Sequence, residues 1–129
     1  MQGELEKALA AVTQHFVRVI GAGRTDAGVH AKGQVIAFRA LWKHSLSDLH
    51  RACNALLPDD ISVLFLDLPP ASFHPRFSAL RRWYRYQIGL WPGHSPLRSR
   101  YAWELGSGLD TEAMQAAANH LEGSHDFAS

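Results

Sequence analysis

Apolar residues recur at three- and four-residue spacing near the start of the chain. Leu5, Ala8, Leu9, Val12 and Phe16 fall on one stripe and predict an amphipathic helix from Gly3 to Phe16. The β-branched run Val17 to Ile20 predicts a strand, closed by Gly21-Ala22-Gly23, where glycine permits a sharp change of direction. After a polar loop that runs to about Ala31, Val35 to Arg39 predicts a second short strand. Ser45 and Asp48, at capping-box spacing, open a helix through Leu57 that Pro58-Asp59-Asp60 stops. Ile61 to Leu68 reads as a near-continuous apolar strand ended by Pro69-Pro70, because proline cannot donate to a ladder. From Trp83 the residues alternate, with Tyr84, Tyr86, Ile88 and Leu90 on one face and Trp83, Arg85 and Gln87 on the other. That pattern predicts a strand with one packed side. Asp110 starts a last helix running to about Leu121, with Glu112 in its first turn and Gly123 beyond its end.

The order helix, strand, strand, helix, strand, strand, helix predicts an α+β fold with helices packed on one face of a sheet. No repeat, low-complexity tract or linker interrupts residues 1–129, which read as a single domain. Its edges look cut: the first helix has no cap residue ahead of it, and His125-Asp126-Phe127-Ala128-Ser129 closes no element.

With 47% apolar residues, including four Trp, three Tyr and six Phe, the chain can bury a core. Thirteen Lys and Arg against 12 Asp and Glu leave a net charge of +1, so bulk charge selects no partner. One cysteine, Cys53, excludes a disulfide-stapled scaffold and fits a reducing compartment; in mid-helix it reads as a small core residue. No run approaches the roughly 18 apolar residues of a membrane span, and Met1-Gln2-Gly3-Glu4 lacks the features of a signal peptide. The expected location is the cytoplasm, with no membrane partner.

The densest polar cluster is the segment from Gly21 to Gly33, where four glycines surround Arg24, Asp26, His30 and Lys32. Glycines allow close approach by a ligand, and Arg24 can hold Asp26 ionised or grip a phosphate. This reads as an active-site loop. The alternative is a connecting turn in which Asp26 caps an amide and Arg24 is its surface partner. The spacing fits neither a dinucleotide fingerprint nor a P-loop. Between Leu68 and Trp103 stand six arginines, Arg76, Arg81, Arg82, Arg85, Arg98 and Arg100, and no acidic residue. Phe73, Phe77, Trp83, Tyr84, Tyr86, Trp91, Tyr101 and Trp103 are interleaved with them, a mixture suited to binding phosphates and stacking bases. The alternative is a core strand whose other face meets water. No two of the eight histidines stand four apart, and one cysteine makes no zinc-knuckle spacing, so no metal is expected.

The string Gly23-Arg24-Thr25-Asp26-Ala27-Gly28-Val29-His30-Ala31 resembles the signature of the TruA family of tRNA pseudouridine synthases. The likeness continues through Gly33-Gln34-Val35, Asn54 to Ile61, Phe73 to Ala79, Tyr84-Arg85-Tyr86 and Gly123 to Phe127. It implies the pseudouridine synthase fold, an α+β architecture with an antiparallel or mixed sheet and helices on one face. It also implies isomerisation of uridine to pseudouridine in the tRNA anticodon stem-loop, without metal or organic cofactor, by an enzyme that is a homodimer at full length. Carried over by position, the catalytic carboxylate falls on Asp26, the arginine that helps extrude the base on Arg24, and the stacking tyrosine on Tyr84. His30, Arg76, Arg81 and Arg82 join the RNA-binding set. Whether Asp26 attacks ribose C1′ or takes a proton from C2′ stays open.

The family's N-terminal strand and its second half, which brings a basic partner for the aspartate, have no counterpart here. The chain therefore reads as part of a synthase catalytic half, cut at both ends and inactive alone. A non-catalytic RNA-binding module using residues 73–103 is the runner-up, and a small hydrolase using Asp26 with His30 the third reading.

Overall fold

The computed structural model describes residues 1–128. It is an α+β structure in the order α1 (Gln2–Thr13), β1 (Val19–Gly21), β2 (Ile36–Phe38), α2 (Leu46–Leu56), β3 (Ile88–Leu90), β4 (Trp103–Leu105) and α3 (Thr111–Asn119). Two compact units divide the chain, residues 1–83 and the residues from Tyr84 onward. The single expected sheet is replaced by two short ones, β1 antiparallel to β2 and β3 parallel to β4.

In the first unit the core gathers Leu5, Ala8 and Leu9 of α1, Val17 and Val19, and Leu49, Cys53 and Leu57 at α2. The predicted stripe of α1 is borne out at Leu5, Ala8 and Leu9, but the helix stops earlier than Phe16. Gln14 adopts the left-handed conformation at φ 59°, which turns the chain so that Val17 is buried and Phe16 is 82% exposed. Thr13 closes the last turn by donating its hydroxyl to Leu9 O at 2.8 Å. The first strand accordingly runs Val19–Gly21 rather than Val17–Ile20, in register Val19↔Phe38, Ile20↔Ala37 and Gly21↔Ile36. Side chains of α1 take both backbone groups of Val19. Its N–H donates to Glu6 Oε1 at 3.0 Å, and Gln2 Nε2 donates to its carbonyl at 3.1 Å.

The Ser45 cap forms as expected, its Oγ accepting from Asp48 N at 3.1 Å. Burial of Cys53 against the core pushes its thiol pKa up. The apolar segment 61–68, however, forms no ladder. Its backbone is held by α2 side chains instead: Val63 N–H donates to Asn54 Oδ1 at 2.8 Å. Asn54 Nδ2 and His50 Nε2 in turn donate to Val63 O at 2.9 and 2.7 Å. Ile61, Val63 and Leu66 pack on the core, whereas Leu64, Phe65 and Leu68 face out, each more than 70% exposed.

In the second unit only Ile88–Leu90 of the expected strand pairs, and its partner Trp103–Leu105 carries no alternating signal of its own. Tyr84 and Tyr86 are about four-fifths exposed, so the face expected to be packed is open here. An alternating sequence makes a strand only where a neighbour supplies hydrogen bonds; Gln87 O accepts from Trp103 N at 2.8 Å, but residues 83–86 belong to no strand. Residues 91–102 make the long connection that parallel strands require. Glu104 holds that connection: Oε2 accepts from His94 Nδ1 at 2.8 Å, and Oε1 from Ser95 N at 2.9 Å and Trp91 Nε1 at 3.3 Å. The Trp91 ring lies against Gly89, where a β-carbon would stand 1.8 Å from the nearest ring atom. Asp110 caps α3 through Ala113 N at 2.9 Å, and the helix ends at Asn119 rather than Leu121.

Two outcomes follow from these anchors. Asn54→Ala leaves the Val63 N–H without its acceptor and removes one donor to Val63 O, which should lower stability by about 1–3 kcal/mol in urea unfolding. The hydrogen bond from His94, then those from Ser95 and Trp91, hold the Glu104 carboxyl below its ordinary 4.5. A carboxylate with a lowered folded pKa stabilises the fold above its unfolded value and loses that contribution as pH falls through the folded one. The Trp91 indole N–H resonance should therefore shift on acidification below 4.5, and Glu104→Gln should abolish that step.

Candidate functional site

The glycine-rich signature joins β1 to β2 as a loop over residues 22–35. Its neck is closed three times. Ala22 N donates to Val35 O at 2.9 Å, Gln34 Nε2 donates to Gly23 O at 2.7 Å, and Arg82 Nη2 reaches Ala22 O at 3.4 Å. Beyond the neck the loop carries little internal bonding; Val29 N donates to Asp26 O at 3.3 Å, a turn that Gly28 continues with φ +84°. That left-handed backbone is the one position here where glycine is required for conformation rather than for approach.

Every residue from Gly23 to Val35 is exposed, so Arg24, Asp26 and His30 share one displayed loop. Among the described residues no ion pair joins Arg24 to Asp26, and no side-chain bond has Asp26 capping an amide. The loop does connect two strands, as the alternative has it, but without those two contacts, and both residues face solvent. An exposed carboxylate on a glycine-rich loop can attack, accept a proton or orient a hydroxyl.

Of the basic residues, Arg76 and Arg82 are brought together with the loop neck, and Arg81 is exposed beside them in sequence. Arg76 sits on a turn built by His74. His74 Nδ1 accepts from Arg76 N at 3.2 Å and Phe77 N at 3.3 Å, His74 N donates to Ser78 Oγ at 3.0 Å, and the His74 and Phe77 rings lie 4.4 Å apart. Arg82 Nη2 donates to Arg76 O at 3.0 Å, so one guanidinium nitrogen spans the turn and the loop. Tyr84 belongs to the second unit, where its ring is 83% exposed. The neck contacts of Gln34 and Arg82 are the features that the sequence did not reveal. Gln34 carried no signal beyond its place in the motif, and Arg82 read as one arginine among six.

The chain is thus an α+β protein that displays Arg24 and Asp26 on an exposed glycine-rich loop. Residues 1–78 match the family model of tRNA pseudouridine synthase, and the chain belongs to that family. It is 45% identical over 128 residues to the tRNA pseudouridine synthase A of Roseiflexus sp. (strain RS-1), covering 99% of this chain and 47% of that protein. Similar proteins of the same name come from Dictyoglomus turgidum, 41% identical over 98% of this chain and 53% of the relative, and Thermotoga neapolitana, 43% identical over 100% and 53%. The chain thus spans about half the length of the curated relatives it matches.

Proposed function

We propose that these residues serve tRNA pseudouridylation, the isomerisation of uridine to pseudouridine in the anticodon stem-loop, within a pseudouridine synthase fold. The observation that carries this reading is the complete Gly23–Ala31 signature, presented on an exposed loop in a chain of this family, with the Asp26 carboxylate open to solvent. The reaction breaks the bond from ribose C1′ to uracil N1 and forms one from C1′ to C5. The proton lost from C5 is balanced by one gained at N1, so no oxidant, reductant or organic cofactor is needed. Asp26 is the catalytic carboxylate, either adding to C1′ as the base departs or drawing the C2′ proton. A stacked uridine must first leave the helix. Arg24 holds the flipped nucleotide through its phosphate, and Tyr84 offers a ring to the uracil face. His30, Arg76 and Arg81 complete the RNA-facing set, while the Arg82 guanidinium is engaged with Ala22 O and Arg76 O. The protein works in the cytoplasm, as a homodimer at full length with residues 1–129 in its catalytic half.

In the full-length protein, Asp26→Asn is expected to remove tritium release from uracil-labelled tRNA while tRNA affinity stays nearly unchanged, because the amide keeps the shape but neither attacks nor accepts a proton. Arg24→Ala is expected to lower turnover and affinity together. Substantial residual release by the asparagine variant would overturn the assignment of Asp26. RNA binding without any release, in wild type and variant alike, would support a non-catalytic binding module using residues 73–103.

The basic residues give a separate test. If they touch phosphates, tRNA affinity falls steeply with salt, and Arg81→Gln should lower the log–log slope by about 0.7 to 0.9. An unchanged slope would return Arg81 to a solvated surface.

A further inference from the structure

We propose that Arg82 and Gln34 are positioning residues for the signature loop, fixing the direction in which Arg24-Thr25-Asp26 leaves the sheet. This rests on the reading of Asp26 as the reacting carboxylate. The two carbonyls immediately before Arg24 are each held by a side chain from elsewhere: Gly23 O accepts from Gln34 Nε2 at 2.7 Å, and Ala22 O from Arg82 Nη2 at 3.4 Å. The second contact is long, but the guanidinium that makes it is itself anchored, since the same nitrogen donates to Arg76 O at 3.0 Å. Arg76 O in turn belongs to the turn that His74 organises through two backbone N–H groups.

Two fixed carbonyls on consecutive residues restrain the backbone torsions between them. The peptide leading into Arg24 is thereby oriented while everything beyond it remains exposed. Without these contacts the glycines at 21 and 23 leave the entry free to swivel. A reacting group displaced by about 1 Å can lose roughly a hundredfold in rate, so orientation at the neck bears directly on chemistry at Asp26. Arg82 thus acts through the loop, whereas Arg81 acts on RNA.

Four variants of the 129-residue chain separate these roles: Arg82→Gln, Arg82→Lys, Gln34→Ala and Arg81→Gln. Amide hydrogen exchange is followed in residues 22–35 and 73–78, with the urea midpoint as a control for global folding. Arg82→Gln and Gln34→Ala should speed exchange in residues 22–35 by about tenfold at an unchanged midpoint. Arg82→Lys should restore part of that protection, because an ammonium can serve one of the two carbonyls, and Arg81→Gln should leave exchange as in wild type.

The salt dependence of tRNA binding is the second readout. Its slope should hold in Arg82→Gln and fall in Arg81→Gln. Turnover on tRNA, measured with the same substitutions in the full-length synthase, should drop in kcat roughly ten- to a hundredfold for Arg82→Gln with KM held. Unmoved exchange in residues 22–35, or a salt slope for Arg82→Gln that falls as it does for Arg81→Gln, overturns the proposal and makes Arg82 a phosphate contact. A full-length wild type that neither binds nor turns over tRNA counts against the synthase reading instead, and the exchange data still decide the bracing.

Discussion

Three residue pairs are too few to hold a hairpin together in water, so the β1–β2 ladder depends on the burial of Val17 and Val19 against α1 and α2. That burial fixes the whole first unit. It sets the position of Gly21, where the ladder ends, and hence the point from which residues 22–35 project. Because the core stops at the strand, nothing apolar shelters the loop, and its polar groups meet solvent. The side chains of Arg82 and Gln34 tie the loop at Ala22 and Gly23. Those ties set where the exposed part of the loop begins.

Backbone groups that a sheet would ordinarily satisfy are met here by helix side chains. Gln2 and Glu6 serve Val19, and His50 and Asn54 serve Val63. In each case a short amide or carboxylate, on the helix face toward the extended segment, supplies the donor and acceptor that a neighbouring strand would supply. This lets extended chain lie in the core without a wide sheet, and it places Val63 and Leu66 against α2 while Leu64 and Phe65 turn outward. Polar residues on the buried side of α2 are thus structural, though their composition gives no hint of it.

Helices were legible in the sequence because their signals are local. The stripe of Leu5, Ala8 and Leu9, and the caps at Ser45 and Asp110, each lie within a few residues of what they specify. Helix ends were less so, since no spacing rule forces Gln14 into the left-handed conformation that exposes Phe16. Extended segments were misjudged for a different reason. Apolar alternation over residues 61–68 and 83–90 reports that the chain is extended, but pairing depends on a distant neighbour, and Trp103–Leu105 is too short to announce itself as one. That Gly23 to Ala31 forms a polar loop was legible from its residue types alone. Its bracing was not, because Arg82 lies 60 residues from the carbonyl it meets and its charge suggested a phosphate.

Cys53 gives the first unit a property unrelated to RNA. Its side chain is buried among Leu49 and Leu57 in the core, and burial pushes its thiol up and so disfavours the thiolate. Thiolate is the form that alkylating reagents capture, so the folded protein shields the group twice, by access and by ionisation. As the one sulfhydryl in the chain, it acts as a built-in clock: its labelling rate counts the openings of α2 from the core, with no engineered probe.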